Sequence, residues 1–150
     1  MNIEYKHTFP FSQDIVWMLI QDERILRNSI PGCQSFIKGD GDLYLVEMGL
    51  SVGPVKGAFT GEVQQVDQVA PSSYRLLLKG KGKPGEIDAI ANMKLEEVEN
   101  GTQVVCTADV RVTGMLASIG QRIMNGFAKL ILGQFFKSVE KEMSELEAHS

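Results

Sequence analysis

The chain has very little cysteine and histidine. Its 150 residues include only two cysteines, Cys33 and Cys106, and two histidines. Two cysteines are too few for a disulfide framework or a four-cysteine zinc site. No other cluster of metal-ligating residue types stands out. We therefore expect both thiols to be reduced core residues, and we predict that the protein uses no metal or other cofactor.

Long apolar segments and an excess of basic residues are also absent. No stretch approaches the roughly 20 apolar residues that span a bilayer, and Met1–Thr8 alternates like a strand rather than forming a signal peptide. The net charge of −4 argues against a nucleic-acid partner. A length of 150 residues with 43% apolar content predicts a single domain, residues 1–150, in the cytoplasm.

No pattern in the sequence is typical of a catalytic site. His7 and Cys33 are residue types that form base–nucleophile pairs, but nothing in the sequence brings them together. Gly80–Gly85 superficially resembles a phosphate-binding loop, yet it joins two strands instead of opening a helix. We therefore predict that the protein is not an enzyme. A cyclase- or hydrolase-like activity is the less favoured alternative.

The order of predicted elements indicates the fold class. A strand around Ile3–Phe9 precedes two short helices, capped by Ser12 and Asp22. Period-two alternation then predicts six strands: Gln34–Lys38, Leu43–Ser51, Val55–Val69, Tyr74–Lys79, Glu86–Val98 and Gln103–Thr113. One long helix, Met115–Leu146, follows. Short turns such as Asp40-Gly41 indicate antiparallel neighbours. We predict an α+β fold, with a curved antiparallel sheet of about seven strands wrapped on the C-terminal helix.

The predicted inner face of the sheet is apolar, but its side chains are unusually small. The inward positions include Gly57, Gly61, Gly80, Ala89, Ala91 and Ala108. The long helix contains Gly120, Gly126 and Gly133, although each glycine inside a helix costs roughly 1 kcal/mol relative to alanine. Because protein interiors pack densely, these residues predict an apolar cavity that a ligand fills. The alternative is that the helix packs directly on strand backbone.

The candidate ligand-binding residues come from the inner face of the sheet, the short helices and the long helix. They are Trp17, Ile30, Tyr44, Val46, Met48, Phe59, Tyr74, Leu76, Ala89, Ala91, Met93, Ala108, Val110, Gly120, Ile123 and Phe127. Helical periodicity places Leu116, Ile119, Gly120, Ile123, Phe127 and Leu130 on one buried arc. Trp17, Tyr44, Tyr74 and His7 are the groups that could orient a ligand, and each could equally be a core or rim residue.

The second half of the long helix is apolar nearly all round. Leu132 and Phe136 lie roughly opposite the predicted buried arc, while Arg122, Lys129 and Lys137 interrupt the apolar surface. One interpretation is a docking surface for a membrane or a partner protein. The alternatives are wider burial of this half of the helix and a homodimer contact.

Several segments resemble one known family over nearly the whole chain. They are Val16-Trp17 with Asp22, Ile30-Pro31-Gly32-Cys33, Val52-Gly53-Pro54-Val55-Lys56-Gly57 with Phe59 and Gly61, Gly80 and Gly82, Gly101-Thr102, and Leu116-Ala117 leading to Gly120-Gln121-Arg122. Together they resemble the CoxG-like family, named after the G subunit of carbon monoxide dehydrogenase, in the START-like (SRPBCC) superfamily. The resemblance implies a helix-grip fold and brings no catalytic residues with it.

The resemblance also implies a role beside molybdenum-containing carbon monoxide dehydrogenase or a related hydroxylase. The family is thought to assist membrane recruitment or the delivery of a lipophilic electron acceptor such as a quinone. Many relatives continue into a linker and an apolar anchor, whereas this sequence stops at Ser150. We therefore expect a soluble carrier of a lipophilic small molecule. Molybdenum hydroxylase subunits are candidate partners, and contact with the inner membrane face would be transient.

Overall fold

The computed structural model describes residues 1–53 and 55–148, apart from the side chain of Val52, which the sequence places on the inner face. The strands are β1 (Asn2–Phe9), β2 (Cys33–Lys38), β3 (Leu43–Val52), β4 (Val55–Val69), β5 (Ser73–Gly82), β6 (Gly85–Val98) and β7 (Gly101–Val112). The helices are α1 (Gln13–Ile20), α2 (Glu23–Ser29), α3 (Met115–Ser118) and α4 (Gln121–Ala148). The predicted order of elements is confirmed.

The strands form one seven-stranded antiparallel sheet in the order β1-β7-β6-β5-β4-β3-β2. Strands β2 to β7 follow one another along the chain, and β1 adds to the sheet beside β7. The turns use the residues that the sequence indicated, since Gly41 has φ 61° and Asn100 has φ 70°. Glycine and asparagine tolerate this left-handed backbone better than other residues. The predicted α+β fold is confirmed.

The two short helices begin at the predicted caps. The Ser12 side chain accepts a hydrogen bond from the Ile15 amide at 3.4 Å. The Asp22 carboxylate accepts from the Arg24 and Ile25 amides at 3.0 and 3.1 Å. These side chains pair amides that have no partner inside the helix. The caps thereby fix where the chain turns from β1 towards the interior.

The single long helix predicted for residues 115–146 is wrong in one respect, because the helix is broken at Gly120. Helix α3 ends at Ser118 and α4 begins at Gln121. Gly120 lies between them with φ 100° and is exposed to solvent. A left-handed φ is easy for glycine but ends a right-handed helix. Gly120 therefore does not face the interior as predicted.

The break also changes which face of α4 is buried. Met124, Phe136, Val139 and Met143 are buried, whereas Ile123, predicted to face inward, is 54% exposed. Because α4 is a new helix that begins at Gln121, its residues do not continue the helical phase of Leu116 in α3. The buried face predicted for one continuous helix therefore places Ile123 wrongly. Leu130 is misplaced in the same way, being 49% exposed.

The predicted outer face of the long helix is also corrected. Phe136, expected opposite the buried arc, is fully buried at 0% exposure and stacks on Tyr5 and His7 of β1. Leu132 packs against the same core. The positions of Phe136 and Leu132 agree with the alternative of wider burial of this half of the helix. Among the described residues, no helix is both long enough and apolar enough to cross a membrane.

Candidate functional site

The inner face of the sheet is built from rows of side chains that follow the strand register. One row crosses β4 to β7 as Val63, Leu78, Ala89 and Val110. The rows on either side are Gln65, Leu76, Ala91 and Ala108, and Gly61, Gly80, Ile87 and Val112. We call these three the central rows. Glycine and alanine occupy five of their positions, so the middle of the sheet has little side-chain volume of its own.

Three hydrophobic clusters include parts of the central rows and extend outward from them. The first joins α1, β1 and the second half of α4 around Phe136. The second joins α2 to β2 and β3 around Tyr44, and the third closes one end of the sheet around Leu116. Among the described residues, Leu78, Ala89 and Val110 belong to none of the three. The dense packing therefore lies on either side of Leu78, Ala89 and Val110 rather than at these three residues.

Apolar side chains of the central rows are accessible to solvent even though they point inward. Val63, Leu76, Leu78 and Val110 are half-buried, and Leu78 sits on an interior strand with neighbours on both sides. A filled core leaves such side chains almost fully buried. Their accessibility indicates open apolar space beneath α4.

The position of α4 explains this opening. Its backbone lies close to α2 and β1, while close approaches between α4 and the other strands are few within residues 1–53 and 55–148. On the opposite wall, a Cβ atom built on Gly80 would meet no heavy atom within 4 Å. We call the region between α4 and the central rows the inner space.

The structure brings most of the predicted ligand-binding residues to this inner face. Trp17, Tyr74, Leu76, Ala91, Met93 and Ala108 belong to the first cluster. Ile30, Tyr44, Val46 and Met48 belong to the second cluster, and Phe59 and Phe127 belong to the third. Ala89 and Val110 lie between the clusters. Only Gly120 and Ile123 lie outside, for the reason given above. Whether the others contact a ligand remains a prediction.

The two predicted tyrosines are packed against other rings. Tyr74 is buried and meets Trp17 edge-on, with ring centroids 5.6 Å apart. Burial raises the pKa of Tyr74 far above its ordinary value. Tyr44 stacks on Phe36 at 4.8 Å, and its pKa is raised first by burial and then by nearby acids such as Glu23. Both phenols are therefore neutral groups at physiological pH.

His7 has a structural partner and lies at the opposite edge of the sheet from Cys33. Its Nε2 atom is 2.8 Å from Oε1 of Glu140 on α4, and its ring is tilted on Phe9 at 4.6 Å. Cys33 lies in β2, at the other edge of the sheet, and its Sγ donates to the Ser35 carbonyl. The two residues that could form a base–nucleophile pair are therefore held at opposite edges.

Asn125 is a polar residue of α4 that the sequence reasoning missed. Its Oδ1 atom is buried and has no hydrogen-bond partner among the described residues. The Ser29 hydroxyl on α2 is in the same state. Because a buried acceptor without a partner is unfavourable, each marks a place where a ligand group or a water molecule would bind. The sequence contains one indication of this residue, a single side-chain amide between Met124 and Phe127 in an otherwise apolar stretch.

A groove on the opposite, outer face of the sheet differs chemically from the inner space. It has a volume of about 850 Å³. Its charged lining residues are Glu47, Glu62, Lys79, Lys81, Glu86, Asp88 and Arg111. Apolar residues such as Ile37, Leu45 and Val46 also line the groove, so a lipophilic ligand there would lie next to several charged side chains. In residues 1–53 and 55–148, no group of three metal-ligating side chains is placed to hold an ion.

The curved sheet, the C-terminal helix and the two short helices after β1 define a helix-grip, START-like fold. A crystal structure of a conserved protein from Geobacillus kaustophilus is similar to the chain, with 31% identity over 97% of this chain and 96% of that one and a TM-score of 0.91. A Chromobacterium violaceum protein matches with 14% identity, 95% and 96% coverage and a TM-score of 0.71. A Thermus thermophilus protein matches with 14% identity, full coverage of both chains and the same TM-score, 0.71. These two likenesses show the fold alone.

The family follows from the sequence itself. The model of the CoxG family, the G subunit of carbon monoxide dehydrogenase, matches residues 8–144, and the chain belongs to this family. No curated protein has a significantly similar sequence. The family resemblance drawn from the sequence segments is confirmed.

Proposed function

We propose that this protein is a non-catalytic accessory protein that carries a lipophilic small molecule, a quinone or a lipid, in the inner space. Its client would be a carbon monoxide dehydrogenase or a related molybdenum hydroxylase. Membership of the CoxG family supports the accessory role. The chemistry of the inner space supports the carrier role.

One observation carries the carrier proposal: apolar side chains of the central rows point inward yet remain half-buried. Leaving apolar surface in contact with water costs roughly 25 cal/mol per Å². A lipophilic molecule that displaces water from Leu76, Leu78 and Val110 would recover this free energy. The molecule would replace packing contacts that the protein itself does not make.

The lining also favours an uncharged ligand. The central rows contain no acidic or basic side chain, and burying a charge without a partner is strongly unfavourable. The unpaired Oδ1 of Asn125 would accept one hydrogen bond from a ligand hydroxyl or from a water bound to a ligand carbonyl. An uncharged ring or chain that carries one or two oxygen atoms would suit the apolar lining and could also pair with Asn125.

Native mass spectrometry, followed by solvent extraction of the purified protein, tests the carrier proposal. We expect a bound molecule that is extracted into organic solvent, or uptake of a quinone or fatty acid from a panel. Gly80→Leu should remove binding by filling the inner space, while Gly126→Leu is the matched control on the exposed side of α4. The carrier proposal fails if nothing binds, or if both variants bind like the wild type.

Co-purification from cells that express a molybdenum hydroxylase tests the accessory role separately. We expect the enzyme's subunits to be retained by the wild-type protein and by Gly80→Leu, because the strand register directs the new side chain away from the outer face. A gene position beside the enzyme's structural genes would agree with this result. Absence of any hydroxylase subunit from the captured material would contradict the accessory role.

A further inference from the structure

We propose that two copies of this chain associate through their first strands, paired antiparallel around a twofold axis at Tyr5. Strand β1 lies at one edge of the seven-stranded sheet and pairs with β7 on one side only. The association would join the two sheets into one, with both inner faces on the same side. It uses β1 rather than α4, and it does not depend on a ligand in the inner space.

Alternate residues of β1 direct their backbone groups towards the free edge. The Met1 carbonyl accepts from the Val110 amide at 2.8 Å, and the Met1 ammonium donates to the Val110 carbonyl at 2.9 Å. Because directly bonded pairs alternate with unbonded pairs along an antiparallel ladder, the odd-numbered residues of β1 bond to β7. The even-numbered residues point their amides and carbonyls away from β7; they are Asn2, Glu4, Lys6 and Thr8. These backbone groups form no hydrogen bond with the other described residues.

Of the two sheet edges, β1 is better suited to add a strand. Its register with β7 runs without a shift from Asn2 to Phe9. The other edge strand, β2, is shorter, and a bulge interrupts its register between Cys33 and Ser35. Bulges and short strands protect an edge against pairing with another chain, whereas a regular edge is a template for it. The free edge of β1 therefore has the geometry that a further antiparallel strand requires.

The charge pattern of β1 is complementary to itself in one register. Glu4 and Lys6 are exposed on the same face of the strand, with their charged groups 3.5 Å apart. With the twofold axis at Tyr5, Glu4 lies opposite Lys6 of the second copy, and Lys6 lies opposite its Glu4. An axis at Glu4 or at Lys6 would instead place like charges opposite each other, which is unfavourable. The axis at Tyr5 also sets the free backbone groups of these residues against one another. Charge and hydrogen bonding therefore favour a second copy in this register.

The contact between two strands of eight residues is small. Stable complexes bury roughly 1,200–2,000 Å², whereas an edge pair adds mainly backbone hydrogen bonds and the side chains beside them. We therefore expect a weak dimer that forms as the protein concentration rises, with a dissociation constant in the micromolar range or higher.

Sedimentation equilibrium of charge-reversed variants tests the register. Glu4→Lys and Lys6→Glu each make both twofold-related charge pairs repulsive. One cross-strand charge pair changes an equilibrium constant by up to about fivefold, so the dissociation constant of each variant should be roughly tenfold higher or more. An equimolar mixture of the two variants should associate at least as tightly as the wild type, because each lysine then lies opposite a glutamate. Glu96→Lys is the matched control, since Glu96 also pairs with a lysine two residues away, at 3.2 Å, but on an interior strand.

Amide hydrogen exchange of the wild-type protein at low and high concentration gives a second readout. The Glu4 and Lys6 amides should exchange more slowly at high concentration, whereas the Tyr5 amide, which already bonds to β7, should not change. A wild-type protein that stays monomeric at about 1 mM would overturn the inference. A dimer that Glu4→Lys weakens no more than Glu96→Lys does would also overturn it, because that dimer would form through another surface.

Discussion

Replacing Gly80 by leucine tests whether the space between α4 and the sheet is open. Gly80 lies on the inner face of β5, opposite Gly61 and Ile87. Its Cβ position has no heavy atom within 4 Å, and its φ is outside the left-handed region. A leucine there should therefore enter the inner space without straining the backbone.

The expected change in stability follows from these facts. Glycine in a strand is unfavourable by roughly 0.5–1 kcal/mol relative to alanine. A fully buried leucine side chain contributes about 1.5–3 kcal/mol, and one in an open space contributes a fraction of that. Allowing for the lost side-chain entropy, we expect Gly80→Leu to raise the free energy of unfolding by about 1 kcal/mol. The melting temperature should rise by roughly 2–4 °C.

Urea unfolding of Gly80→Leu beside Gly61→Ala measures this effect. A Cβ on Gly61 would lie 2.6 Å from the Lys79 carbonyl oxygen, so even alanine should force the strands apart and cost roughly 1–3 kcal/mol. The two glycines are neighbours in one row, yet we expect opposite results. If Gly80→Leu loses 1–3 kcal/mol as well, as overpacking roughly does, the inner face is filled and the open-space interpretation is wrong.

Three further predictions concern the core, a helix cap and a buried thiol. Phe136→Ala should cost roughly 3–5 kcal/mol in urea unfolding, because the ring is fully buried; a cost below about 1 kcal/mol would indicate the exposed position that helical periodicity suggested. Asp22→Ala should cost about 1 kcal/mol through loss of two amide hydrogen bonds, and an unchanged urea midpoint would show that the cap contributes nothing. Burial raises the pKa of Cys106 from 9.0 to about 11, so the unfolded thiol ionises first as pH rises. Stability should then fall between about pH 9 and pH 11 by roughly 2–3 kcal/mol. Cys106→Ala should weaken that fall, and an equal fall in the variant would exclude the thiol as its cause.

The strands could be predicted closely from the sequence because their signal is local. Val55–Val69 has the predicted bounds, and Glu86–Val98 differs from the observed strand by one residue. Period-two alternation and positive-φ turn residues such as Asn100 depend on near neighbours along the chain. Sheet order then follows from short connections. The fold class was therefore within reach of sequence patterns alone.

The buried face of the last helix could not be predicted in the same way. Gly120 occurs in a sequence that otherwise has the pattern of a continuous helix, and glycine is compatible with both a continuous and a broken one. The break shifts the helical phase, which turns Ile123 outward and lets Phe136 turn inward onto β1. Which of the two helical phases the chain adopts depends on which face of α4 packs against β1 and α2. That information lies in tertiary packing.

The same distinction applies to the candidate site: local sequence patterns predict some of its residues, and tertiary packing determines the others. Trp17, Tyr44 and Tyr74 reach the interior because alternation and helix caps determine their faces. Asn125 was missed because an unpaired acceptor is visible only when its surroundings are known. Small inward residues such as Ala89 indicated space, but the separation of α4 from the central strands had to come from the structure.

A titration with a short-chain quinone, followed by methyl NMR, would test the carrier proposal most directly, because the methyl shifts report which face of the sheet the ligand contacts. Leu78 and Val110 label the inner space, while Ile37 and Leu45 label the groove on the outer face. On addition of a short-chain quinone, we expect shifts at the inner methyl groups and none at the outer pair. Shifts confined to Ile37 and Leu45, or no shifts at saturating ligand, would contradict a carrier that holds its ligand beneath α4.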